Sequence, residues 1–266
     1  MEEHATDIHS FVWVDHESVG LAITHVRSLE LYRASVIRPS LTALSDAIEK
    51  LEQDGDQTAL AFSDLPELFQ STVEGYLLTV QSMWERGLRA MLIERAQRSS
   101  KSDSYIQALK RAVWSGGKPL DLLRYFEELM FLPLQSFDTF GDLDLLQLLG
   151  SALRHGDGPA AQKLHERCPS LWVHWLPPGT HIEAAGFSYI HPVDAPKYPS
   201  FAQITIPEAL LGQMVQSAIW FWDDVEHMRC NSFKRKHPNV VADLERWRSE
   251  RQNRSAHRLW NPKSAR

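Results

Sequence analysis

Asp144, Gln147, Ser151, Arg154 and His155 stand at offsets of 0, 3, 7, 10 and 11 in a leucine-rich run, which puts them on one stripe of a helix. A carboxylate, an amide, a hydroxyl, a guanidinium and an imidazole on one face could hold an anion or move a proton near neutral pH. In that chemistry His155 serves as general acid or base and Arg154 holds a phosphate or carboxylate. Gly156 and Gly158 would let a ligand come close to the backbone. Asp157 adds a second carboxylate there, or caps the helix that starts at Pro159. The same residues also fit an ordinary surface stripe, with Arg154 and His155 complementing the negative end of the helix.

The element that must position this stripe is a helix ending at His155, largely buried through Leu143, Leu145, Leu146, Leu148, Leu149 and Leu153. Around it the 3.6-residue periodicity predicts further helices nearly throughout. A first runs from about Glu17 to Val36 and stops before Pro39. A second carries Leu41, Leu44, Ile48 and Leu51, ending near Asp54-Gly55. The longest starts at Asp64, where Glu67 completes a capping-box pattern, and keeps one apolar face from Phe69 to Leu92. Shorter helices are expected over Ser104–Trp114, Pro119–Phe131 and from Pro159 to about Arg167. Between Pro169 and Pro207 lie 7 of the 14 prolines together with many aromatics, so this stretch reads as a packed loop. A short hairpin is expected there, around Gly186–His191 and Phe201–Ile206. Thr205 and Glu208 suggest a second capping box, before a helix to about Arg229, and a last helix spans about Asn239 to Asn253.

The expectation is an all-α fold with three stretches, 1–168, 169–206 and 207–266, forming one integrated domain. No apolar run approaches the roughly 20 residues of a bilayer-spanning helix. The acidic start lacks the pattern of a secretory signal, so a cytoplasmic protein with no membrane partner is expected. Cys168 and Cys230 are too few for a disulfide framework and read as idle thiols. His165, Cys168, His174 and His181 match no standard zinc spacing, so neither metal nor other cofactor is expected.

The formal net charge of −6 hides an asymmetry. From Met228 to Arg266 there are 11 Lys/Arg against 3 Asp/Glu, whereas the preceding residues carry 17 against 31. Such a basic tail could bind nucleic acid, with Lys234, Arg235 and Lys236 touching phosphates, or dock on an acidic face of its own chain or of a partner protein. Trp260 near the terminus favours anchoring.

The segment Leu145-Leu146-Gln147-Leu148-Leu149-Gly150-Ser151-Ala152-Leu153-Arg154-His155-Gly156-Asp157-Gly158-Pro159-Ala160, continuing to Arg167-Cys168-Pro169-Ser170-Leu171-Trp172, resembles part of the HEPN-like helical proteins of bacteria. The resemblance covers about residues 143–172. It implies a dimeric helical bundle of the abortive-infection, toxin–antitoxin or antiviral defence type, some of whose members cleave RNA without metal. In that chemistry a His takes the ribose 2′-hydroxyl proton and an Arg stabilises the phosphorane.

The ribonuclease motif is an Arg followed, after four to six residues, by a His. Leu148, Leu149 and Gly150 stand where His155 would need that Arg. Arg167…His174 and Arg251…His257 have the spacing, and only the second is compatible with a helix, because Pro169 interrupts the first. Glu85, Arg86 and Arg89 could add charge, although Glu85 and Arg89 also form a simple i,i+4 surface pair. Two functions are therefore expected. One is an RNA- or nucleotide-binding protein, with or without cleavage. The other is a non-catalytic accessory module that binds a partner protein through its basic C-terminus.

Overall fold

A computed structural model describes residues 8, 10–13, 22–54, 59–184 and 187–262. Nine α-helical segments are present among them: α1 (Ile23–Tyr32), α2 (Arg38–Asp54), α3 (Ala59–Arg98), α4 (Asp103–Arg111), α5 (Leu122–Met130), α6 (Phe140–His155), α7 (Pro159–Arg167), α8 (Glu208–Asn231) and α9 (Pro238–Asn253). One antiparallel hairpin, β1 (His181–Ala184) and β2 (Phe187–Ile190), is the only sheet among the described residues, with His181 opposite Ile190 and Ala184 opposite Phe187. The fold is therefore mostly helical, as the periodicity predicts. No helix among the described residues is long and apolar enough to cross a membrane.

The long α3 and the 24-residue α8 form the centre. Val73, Leu77, Val80, Trp84, Leu88 and Leu92 bury the inner face of α3 completely. Helix α8 packs against α1, α3, α6 and α9, and so buries residues on nearly every side. One apolar cluster runs from Ile8 to Trp260 and draws on all three expected stretches. Leu143, Leu146 and Leu149 seat α6 in it without exposure, and truncating any one to Ala should cost about 2–5 kcal/mol.

The punctuation differs from the sequence expectation at several points. Pro39 does not separate two helices: a π-helical turn, Arg33–Ile37, joins α1 to α2. The wider turn sits where the proline ring would crowd a preceding carbonyl, and the Ser40 hydroxyl donates to the Val36 carbonyl at 2.8 Å. Glu17 lies outside the described residues. Helix α3 begins before Asp64 and carries Pro66 within it, so Asp64 is not its cap. Asp121 does cap α5, accepting from the Arg124 N–H, and Ser102 caps α4 in the same way.

Phe201–Gln203 is a 3-10 turn and does not pair with β2. The capping box at Thr205 is absent, because Pro207 occupies the N-cap and the Thr205 N–H donates to the Leu171 carbonyl at 2.7 Å.

The basic tail docks on its own chain. Arg254 on the turn after α9 makes a two-pronged ion pair with Asp224 of α8, at 2.8 and 2.9 Å, and reaches Asp138 at 2.9 Å. Arg251 adds a second bond to Asp224 at 2.9 Å. Arg258 pairs with Asp142 in the first turn of α6, which also accepts from Gln213 at 2.9 Å and Ser217 at 2.6 Å. Trp260 is buried beyond them. The charge asymmetry is thus partly resolved inside the molecule.

Candidate functional site

A cleft of about 870 Å³ opens between α3, α6, α7 and the segment 112–115. Gln81, Glu85 and Arg89 reach it from α3, Asp144, Gln147, Ser151 and Arg154 from α6, and Lys163, Glu166 and Arg167 from α7. The chain can assemble it because α6 ends at Gly156, whose φ of +63° suits glycine, and reverses into α7. Gly150 matters for the approach of α3 to α6: a Cβ there would lie 2.6 Å from Gln81 Oε1.

Two carboxylates of the cleft are paired with arginines, and the third accepts from a hydroxyl. Glu85 Oε1 accepts from Arg89 Nε at 2.9 Å and Nη2 at 2.7 Å, while Arg89 also donates to the Ala112 carbonyl at 2.7 Å. Asp144 accepts from the Trp114 indole N–H and from Arg167, each at 2.7 Å. Glu166 accepts from the Tyr198 hydroxyl at 2.7 Å.

The remaining cations are not occupied in that way. Arg154 donates to the neutral amide oxygen of Gln81. The Gln81 amide nitrogen then donates to Gln147 Oε1 at 2.7 Å. Neither Arg154 nor Lys163 pairs with a carboxylate among the described residues. Gln147 is buried, and its amide nitrogen has no hydrogen-bond partner among the described residues. An unsatisfied buried donor costs about 1–3 kcal/mol, a penalty that a ligand acceptor would relieve.

Of the residues singled out in the sequence, Asp144, Gln147, Ser151 and Arg154 line this cleft together. His155 does not line it and is exposed. Asp157 does not cap α7, whose N-cap is Gly158. It holds the Pro-rich loop instead, accepting from the Phe201 N–H at 2.5 Å and the Ser200 hydroxyl at 3.2 Å. Lys234, Arg235 and Lys236 form an exposed turn before α9. Arg251 is committed to Asp224, and the helix breaks into a 3-10 turn at Arg254, before His257. His165 packs edge-on against Trp172 and Trp175, at 5.3 and 4.8 Å between ring centroids, and burial lowers its pKa.

Gln81, Trp114, Glu166 and Lys163 are among the cleft residues that the sequence reading missed. A signal for the last was present: Lys163, Glu166 and Arg167 share one face of α7 at i, i+3 and i+4. Comparison with protein-family models, curated proteins and solved structures found no match. Fold and site together define a mostly helical protein with a polar, cation-bearing cleft at the carboxyl end of a buried helix.

Proposed function

We propose that this cleft binds a phosphate-bearing ligand of the nucleotide or RNA class. The observation that carries the reading is the pair of cations, Arg154 and Lys163, that line the cleft without a carboxylate partner among the described residues, while Glu85 and Asp144 are already paired with Arg89 and Arg167 and Glu166 accepts from the Tyr198 hydroxyl. Arg154 is braced by Gln81, which fixes its guanidinium for a planar anion. Gln147 and Ser151 offer neutral hydrogen-bonding groups beside it, and Trp114 offers an aromatic surface. The HEPN-like resemblance of residues 143–172 supports a nucleotide or RNA as the source of the phosphate and a role in bacterial defence.

Binding is favoured over cleavage because no histidine among the described residues lines the cleft. Titration of the protein with AMP and with a short single-stranded RNA, followed by calorimetry, tests the proposal. Binding should weaken as salt rises. Arg154→Ala and Lys163→Ala should each reduce affinity about tenfold or more, as expected for a charged hydrogen bond worth roughly 1.5–3 kcal/mol. Absence of binding to either ligand at millimolar concentration would overturn it. RNA cleavage by the wild-type chain that is lost in His155→Ala would replace it with the catalytic reading.

A specific observation also supports the accessory-module reading. Phe187, Tyr189, Ile190 and Val193 on and beside the hairpin are 81%, 51%, 61% and 82% exposed, more apolar surface than a free loop needs. Light scattering of the wild-type chain beside Phe187→Ser tests this: a wild type that stays monomeric leaves the hairpin free for a partner protein, whereas self-association that Phe187→Ser abolishes would overturn the accessory-module reading.

A further inference from the structure

Asp223 and Asp224 are neighbours on α8, and one helical residue turns their side chains about 100° apart. Asp224 is buried beneath Arg251 and Arg254. Asp223 instead faces a cavity of about 650 Å³ between α1, α8 and α9, where it accepts no hydrogen bond and makes no ion pair among the described residues.

The cations around it are committed elsewhere. Arg254 serves Asp224 and Asp138 and lies over the Trp220 ring, 5.4 Å from its centroid. Arg246 serves Asp243 and Glu250, both at 3.2 Å, and lies over the Trp247 ring. At the rim, exposed Arg27 and Glu30 of α1 cancel in formal charge, as do Arg246 and Glu250 of α9, and His257 closes one side. The floor therefore holds one uncompensated carboxylate between apolar walls.

We propose that this cavity is a second ligand site, independent of the α3–α6–α7 cleft, for a small organic cation such as a primary amine or guanidine. The charged group sits on Asp223, and the hydrocarbon packs against Ile219, Trp220, Trp247 and Leu259. A doubly donating cation suits the two free carboxylate oxygens, and the half-buried setting makes the pairing stronger than one in open water.

The acid–base behaviour of the carboxylate supports this reading. Burial pushes Asp223 up to about 7, against the downward pull of Arg254, while Asp224 and Glu250 push it further up and Arg246 draws it down. A bound cation favours the ionised form and so expels a proton near neutral pH. Alkylamines keep their own charge up to about pH 10, so affinity should rise from pH 6 to pH 8 through Asp223.

Calorimetric titration of the full chain with agmatine, putrescine and tyramine at pH 6 and pH 8 tests the inference. At least one amine should bind at pH 8 and about tenfold more weakly at pH 6, matching the drop in ionised carboxylate across a pKa near 7. The heat should vary with the ionisation enthalpy of the buffer, which reports proton release by the wild-type chain without any variant. D223N should lose amine binding and keep AMP binding. Failure of all three amines at millimolar concentration, unchanged amine affinity in D223N, or equal affinity at the two pH values would each overturn the proposal.

Discussion

The two ends of α6 use arginine to opposite effect. At its amino end Asp142 lies beneath Arg258, Gln213 and Ser217, and neighbouring Asp138 meets Arg254. At its carboxyl end Arg154 leans on a neutral glutamine, and Lys163 from the next helix has no carboxylate partner among the described residues. The first arrangement completes every charge and fastens the chain. The second keeps cationic character on a surface that water and solutes can reach. Whether an arginine is left available to a ligand is therefore decided by the partner it meets across the fold, not by its neighbours in sequence.

The contrast is sharpest where a clamp carboxylate is removed. Asp224→Ala should destabilise the fold by about 3–5 kcal/mol, because Arg254 would stay buried with half its pairing lost. Urea unfolding would measure this, and a loss below about 1 kcal/mol would erase the distinction between the two ends.

Next in size is Asp223→Asn. With its carboxyl raised to about 7 from 3.8, the folded chain holds that proton more tightly than the unfolded chain. Stability therefore falls as pH climbs from about 4 towards 7, and the amide should escape the loss, gaining on the order of 1–2 kcal/mol at pH 8. Melting curves of both proteins at pH 4 and pH 8 should lie closest at the lower value and separate at the higher.

Gly150→Ala acts at the open end. Its new Cβ would displace the Gln81 amide, a flexible group, at a stability cost of about 1 kcal/mol or less. It would release the brace on Arg154, so AMP affinity should drop several-fold in calorimetry while the melting temperature barely moves. Smallest of all is His155→Ala. This exposed side chain lies outside the cleft, so stability should stay within about 0.5 kcal/mol and AMP affinity should not change.

The leucine-rich helix and four residues of its polar stripe were readable in the chain, because polar side chains at helical spacing within a buried run can share only one face. Gln81 was not, since it meets Gln147 and Arg154 across 66 and 73 residues and carries no local pattern of its own. Proline misled at Pro39, because a widened turn and tertiary packing outweigh the local helix penalty of about 3 kcal/mol, and the Asp64–Glu67 spacing misled because α3 begins earlier, at Ala59. Thr205 and Glu208 matched a cap by spacing alone, yet the Thr205 N–H was already engaged by Leu171. The docking of the tail was foreshadowed by its charge and by Trp260, though its acceptors, Asp138, Asp142 and Asp224, could be found only in three dimensions.

The clamp also has a temporal side. Trp13 gives its indole N–H to Met130, 117 residues away, and its backbone N–H to Ser232, 219 residues away, while Arg254 reaches back 116 residues to Asp138. Contacts of such separation close large loops, and each closure loses chain entropy before it gains packing. The helices can form early from local sequence, but their final fastening must wait for distant segments to meet. Refolding of this chain should therefore be slower than its helix content alone would suggest, a rate that stopped-flow fluorescence of its tryptophans would measure.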